Sequence, residues 1–426
     1  MLGASAYGAV GLFAIAYVLF ALWERYRVLI AGVAAAALLA SGLVPLARLV
    51  PAGWNGSGSI ISWDTLGLLT GLFLFAALLS ELNFFQWAAI KLAARTHGRP
   101  LQLYLSVTLL SFVLAAFINS IAVLVVLAAI TIQVARAVGQ NPGPLLIAEI
   151  SAANIGGAAT LVGDPPNVIL GSYFGLSFSD FLLHAGLPAI AALAVLLLWF
   201  GRSGGRELHA AELSLPTLPG QLERGWVIAT FAGFVGMLVA FQFQAALGLP
   251  VWAIGVVGGL VALALSGAHR AQSVMRHVDW EVLAFFLFLF VLVGGLESTG
   301  VISAAAGGIA SVGAGNLLLT GTILLWTLGL LSTVVNSVPL AAAAAPLIAQ
   351  LGSTSGLSVA PLVFASSLGT DIGGSGTPIG ASANLVGLAA ADRAGVKISW
   401  RTYTKLAFPA MLASLAVANL IWLVAR

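Results

Sequence analysis

The chain has 426 residues, of which 60% are hydrophobic and 7% charged, with a mean hydropathy of +1.08 and a formal net charge of +3. Soluble domains carry about 25% charged residues, and a soluble protein of this composition would expose very large apolar patches, so a soluble fold is excluded. Zero cysteines exclude a disulfide framework, a thiolate metal site and a cysteine nucleophile, and the slight basic excess reflects membrane topology, with no nucleic acid implied.

Apolar runs close to the about 20 residues needed to cross a bilayer recur along the chain. The first, 7–22, has no basic residue before its hydrophobic core and Glu24, Arg25 and Arg27 after it. That is the wrong polarity for a cleaved signal, so it reads as a mature helix. Spans follow at 28–50 and 63–80. Segment 82–96 sets Asn83, Gln86, Lys91 and Arg95 among Phe84, Phe85, Trp87 and Leu92; it reads either as an interfacial helix or as the tail of a tilted span. The apolar stretch 101–136 is interrupted midway by Asn119-Ser120 and reads as a re-entrant hairpin. Spans at 145–172 and 182–200 close the first half. A hydrophilic linker, 201–225, carries Pro/Gly turn signals. The second half repeats the order: spans at 226–246, 250–267 and 280–297, a short segment at 298–312, a hairpin at 318–351 broken by Asn336-Ser337, and spans at 358–390 and 406–424.

With each hairpin entering and leaving on one side, fifteen of the seventeen Lys and Arg residues fall on one face, and only Arg48 and Arg426 on the other. The positive-inside rule makes the basic face cytoplasmic. The expected placement is a multi-pass protein of the cytoplasmic (inner) membrane with both termini external.

A glycine-rich signature occurs twice. Asn154-Ile155-Gly156-Gly157 leads through Thr160 and Gly163 to Asp164-Pro165-Pro166-Asn167; Asp371-Ile372-Gly373-Gly374 leads through Thr377-Pro378 and Gly380 to Asn384. The offset is 371 − 154 = 217, and Asn119-Ser120 against Asn336-Ser337 and Trp63-Asp64 against Trp280-Glu281 keep it. Glu81 and Glu297 are 216 apart, a one-residue slip. The two halves start on opposite sides, which makes an inverted-topology repeat. The expected fold is an all-α polytopic membrane protein with two re-entrant helical hairpins and two broken helices.

Paired glycines weaken a helix by roughly 1 kcal/mol each against Ala, and Pro165, Pro166 and Pro378 remove donors and clash with the preceding turn. Unwound backbone at membrane depth is tolerated only where it is buried in protein or lines a cavity. One reading is a pocket lined by Asn119, Ser120, Asn154, Gly156, Gly157, Thr160, Asn336, Ser337, Gly373, Gly374 and Thr377; the other is a kink that permits close helix packing. Asn119 and Asn336 suit helix N-caps, whose N–H groups favour an oxygen-bearing solute. Asp371 faces neutral Asn154 across the repeat, and an acid at membrane depth is a functional candidate, here for proton or cation coupling. Asp164 opposes Ala381 and is a second candidate, or a helix cap. Glu149, Glu81, Glu297, Asp64 and Glu281 are weaker, most of them near expected helix ends. No Lys, Arg or His lies in the hairpin tips or breaks, so the pocket is expected to lack a fixed cation. An intramembrane serine hydrolase around Ser375 or Ser382 lacks a base at the same depth, and no phosphate loop is present. No cofactor or metal is expected.

These residues resemble the ion transporter superfamily, which includes ArsB-type arsenite/antimonite exporters, the melanosomal P protein, NhaD-type sodium/proton antiporters and divalent-anion/sodium symporters. The first glycine-rich signature is shared across the superfamily. Glu81-Leu82-Asn83-Phe84-Phe85-Gln86-Trp87-Ala88-Ala89, Asn336-Ser337-Val338-Pro339, Asp371-Ile372-Gly373 with Thr377-Pro378-Ile379-Gly380, and Ile398-Ser399-Trp400-Arg401-Thr402-Tyr403 look more like the ArsB type. The anion symporters carry Ser-Asn-Thr at both hairpin tips, where this chain has Ile118-Asn119-Ser120 and Val335-Asn336-Ser337. The resemblance implies an elevator-like fold. Its scaffold would be 1–96 and 226–314, and its transport part 97–200 and 315–426. It also implies arsenite or antimonite as solute, moved against protons in the lipid bilayer, and leaves a homodimer and an ATPase partner open.

Overall fold

In a computed structural model, which describes residues 4–51, 58–96, 99–137, 139–204 and 222–425, the described chain is helical with no strand. Residues 205–221, most of the expected linker, lie outside the described residues, as do the loop histidines His97 and His209. The first half comprises α1 (Ala4–Leu22), α2 (Arg27–Ala40), α3 (Trp63–Glu81), α4 (Phe84–Arg95), α5 (Pro100–Phe117), α6 (Ser120–Ala137), α7 (Pro142–Gly157), α8 (Pro165–Phe174), α9 (Phe178–His184) and α10 (Gly186–Gly204). The second comprises α11 (Arg224–Gln242), α12 (Gln244–Leu247), α13 (Val251–Ser266), α14 (Ala268–His277), α15 (Trp280–Ser298), α16 (Val301–Gly313), α17 (Leu317–Ser332), α18 (Ser337–Ser355), α19 (Val359–Gly374), α20 (Ser382–Arg393) and α21 (Trp400–Ala425).

Helix starts carry the repeat: 280 − 63, 301 − 84, 337 − 120, 359 − 142 and 382 − 165 all equal 217. The turns before α4 and α16 repeat as well, since Asn83 (φ 56°) and Gly300 (φ 78°) both take the left-handed conformation that glycine adopts freely and asparagine tolerates. That turn makes α4 and α16 separate helices, which decides against tails of tilted spans. Within α4, Lys91 lies over the ring of Trp87, 5.2 Å from its centroid.

Five helices, α3, α6, α11, α15 and α21, are each long and apolar enough to cross a membrane, and α9 with α10, bent by 46°, makes a sixth. The other expected spans are shorter apolar helices. The run 28–50 stops at Ala40, where Gly42 turns left-handed (φ 72°) ahead of Pro45. The runs 145–172 and 358–390 each divide into two helices, at 158–164 and 375–381. The short basic helix α14 was not expected from the sequence.

Close backbone packing sets the geometry. A Cβ on Gly67 of α3 would stand 2.6 Å from the backbone of Trp252, one on Gly71 would strike the carbonyl of Gly255, and one on Gly255 that of Gly67. Small residues let membrane helices approach in this way, and the crossing brings Asp64 Oδ1 to accept from the Trp252 N–H at 2.9 Å. Helix α7 lies on α5, and α19 on α17, by the same device.

Candidate functional site

The two hairpins end at their asparagines. Asn119 Oδ1 accepts from the N–H of Ile121 (2.8 Å) and Asn336 Oδ1 from that of Val338 (3.2 Å), so each caps the second arm of its hairpin, as the sequence implied. Behind each tip lies a break, and the two breaks are built alike. Asn167 Nδ2 donates to the carbonyls of Gly157 and Thr160, both at 2.8 Å. Asn384 Nδ2 donates to those of Gly374 (2.7 Å) and Thr377 (2.8 Å). The carbonyls freed by unwinding are therefore claimed by an amide from the next half-helix, the accounting that a buried break requires.

Each clasp is anchored in the other repeat. Asn384 Oδ1 accepts from Asn154 Nδ2 at 2.8 Å, and Asn167 Oδ1 accepts from the hydroxyl of Ser367. The threonines serve the loops: Thr160 Oγ1 donates to the carbonyl of Ala116, and Thr377 Oγ1 to that of Thr333. The glycines serve packing. A Cβ on Gly156 would collide with the backbone of Phe112, one on Gly373 with that of Gly329, and one on Gly157 would come within 2.9 Å of the Asp164 side chain. Gly374 is looser, with Gly380 O at 3.2 Å. At these glycines and threonines the packing reading of the breaks describes what the side chains and backbone do.

Other members of the expected set converge. Ser120 Oγ donates to Asp164 Oδ1 at 2.5 Å, tying the first hairpin tip to the first break. Asp164 stands at the N-cap position of α8 but makes no capping bond, so its carboxyl is directed to the tip. The N–H of Ser337 donates to Gly380 O at 3.2 Å, and Asn336 Nδ2 donates to Ser382 Oγ at 2.9 Å. Between the two tips lies a cavity of about 70 Å³ whose polar wall includes Ser120, Asp164, Asn336, Ser337 and Ser382. Asn119 opens instead on an adjoining cleft of about 420 Å³, rimmed by His277, Asp279 and Glu281. Asn154 and Asp371 sit behind the cavity, fully buried. Both carboxyl oxygens of Asp371 lack a hydrogen-bond partner, and the group is close enough to Asp164 for their charges to act on each other.

The expectation of a cavity without a cation is corrected. Arg27, at the start of α2, lines it, donates from Nη1 to Ser382 Oγ at 3.0 Å, and lies 5.7 Å from the ring centroid of Phe285. No local sequence signal marks this residue, because it arrives from a different element. Tyr17 of α1 lines the same cavity with a buried hydroxyl that has no partner. Ser382 is hydrogen-bonded to an arginine and an amide, neither of them a base, so nothing around it activates a nucleophile. Glu149, unlike the acids near helix ends, lies mid-helix in α7 and is fully buried. The rule that singled out Asp371, an acid in one repeat against a neutral residue in the other, finds it too, since its counterpart is Ser366.

An all-helical membrane protein with two capped hairpin tips, two stapled breaks and a polar cavity between them is a secondary transporter. The chain belongs to the CitMHS family, described as "Citrate transporter", which matches residues 17–369. An uncharacterized transporter of Mycobacterium tuberculosis is 32% identical over 423 residues, covering 97% of each chain. An uncharacterized transporter of Synechocystis is 30% identical, covering 84% of this chain and 85% of its own. The human P protein is 28% identical over 92% of this chain, which spans 57% of that longer protein. Among solved structures, the YdaH transporter of Alcanivorax borkumensis matches with a TM-score of 0.59 at 16% identity over 85% of both chains, a likeness of fold alone.

Proposed function

We propose that this transporter exports arsenite or antimonite from the cytoplasm in exchange for protons, by elevator-like movement of 97–200 and 315–426 against 1–96 and 226–314. It would sit in the cytoplasmic membrane with both termini external. The cavity carries the reading. Its wall is polar at Ser120, Asp164, Asn336, Ser337 and Ser382. Its hydroxyl and amide groups suit a neutral trihydroxide held by hydrogen bonds, without thiolates. Asp164 on the wall and Asp371 behind it form a pair of buried acids. Two like charges at that depth are costly unless a proton or cation joins them, and this ties solute release to proton binding.

The test is arsenite uptake into everted vesicles with an acid interior. Wild type should accumulate arsenite with a strong dependence on the proton gradient, and Asp371→Asn should transport weakly with a flattened dependence. Unchanged pH dependence in both Asp371→Asn and Asp164→Asn would sink the coupling assignment. A second reading, an anion carried with a cation, is favoured by Arg27 and the unpartnered Tyr17 hydroxyl in the cavity, and by the family's description. Sodium dependence, or competition by citrate or succinate, would select it.

A further inference from the structure

Glu149 lies in α7, seven residues after Pro142 and therefore about 10 Å along the helix from its start. It is fully buried, and neither carboxyl oxygen has a hydrogen-bond partner. An unpaired carboxylate in such surroundings is strongly disfavoured, and a neutral acid still leaves polar atoms unsatisfied at a cost of about 1–3 kcal/mol. Packing gives no reason to keep it, because an apolar or small residue would be less costly there. The symmetric position of α19 holds the smaller, uncharged Ser366, also fully buried.

The polar group facing it is the hydroxyl of Thr131 on α6, and among the described residues no charged group acts on it. Among the described side chains, the titratable ones of the helices packed on α7 are Tyr104 of α5, Arg136 of α6, Asp371 of α19, Asp392 and Arg393 of α20, and Arg401, Tyr403 and Lys405 of α21. Tyr104 donates to the carbonyls of Leu196 and Leu197, Arg136 to that of Ala394, and Tyr403 to that of Ser375. Asp371 is paired electrostatically with Asp164. Glu149 is therefore an isolated acid, separate from that pair. It shares α7 with Asn154, which anchors the clasp of the second break.

We infer that Glu149 is a second proton-binding site of the moving part, loaded and emptied once per cycle independently of the Asp164–Asp371 pair. Its role in the cycle rests on the proton-coupled reading above, but its proton occupancy does not. Two variants test it: Glu149→Gln, and Glu149→Ser, which copies the second repeat and guards against one variant failing to fold. Infrared difference spectra of purified protein across a pH titration should show a buried carboxylic-acid C=O band in wild type that both variants lose. In proteoliposomes the protons moved per solute should fall by one, with the thermal midpoint equal to or above that of wild type. An unchanged spectrum, or an unchanged proton-to-solute ratio whatever the midpoint, would overturn the assignment. If wild type moves no protons with arsenite, the transport reading fails while the infrared band still decides Glu149.

Discussion

Replacing Asn384 by alanine removes three buried hydrogen bonds at once: the donations to Gly374 O and Thr377 O, and the acceptance from Asn154 Nδ2. Each abandoned carbonyl costs about 1–3 kcal/mol, and the lost bond to Asn154 about 1 kcal/mol. Polar pairs inside membrane proteins average only about 0.6 kcal/mol, because other partners are found in the reference state. That pulls the total from about 3–7 kcal/mol down to about 2–4 kcal/mol. The assay is equilibrium unfolding in mixed micelles, read by helix content, with transport measured beside it. Asn167→Ala should lose a similar amount, since its amide clasps the equivalent carbonyls of Gly157 and Thr160 at 2.8 Å each. Asn384→Asp keeps the shape and the acceptor but removes both donors, so it should do no better than alanine. Stability within about 0.5 kcal/mol of wild type for Asn384→Ala, or for the aspartate variant, would refute the clasp.

Two further outcomes follow from the geometry. Gly373→Ala and Gly156→Ala should each destabilise by about 1–3 kcal/mol or more, because a Cβ would strike the backbone of Gly329 or Phe112; Gly307→Ala, with nothing within 4 Å, should be neutral or stabilising by up to about 1 kcal/mol. Thermal midpoints in detergent check the order. Arg27→Ala should leave arsenite affinity within about threefold, since a neutral trihydroxide draws little from a cation. A loss of tenfold or more, about 1.4 kcal/mol, in a transport competition assay would move the assignment to an anion.

Much of this protein is written locally. Composition and run length demand a membrane, and the interval of 217 fixes the repeat because the same motifs recur in sequence, with Asn119 and Asn336 as caps. The breaks at 158–164 and 375–381 are legible for the same reason, since paired glycines and prolines act on their own turn of helix. Function at those breaks was not legible residue by residue. Thr160, Thr377, Gly156 and Gly373 look the same in sequence whether they meet a solute or a neighbouring backbone, and only the lie of α7 on α5 and of α19 on α17 shows the backbone contacts they make. Tertiary structure also turned Asp164 to the cavity, set Asp371 behind it, and carried Arg27 and Tyr17 in from elements that bear no repeat signature. Helix propensity and capping depend on neighbours along the chain, whereas a cavity is made by side chains from separate helices, and no spacing records how those helices cross.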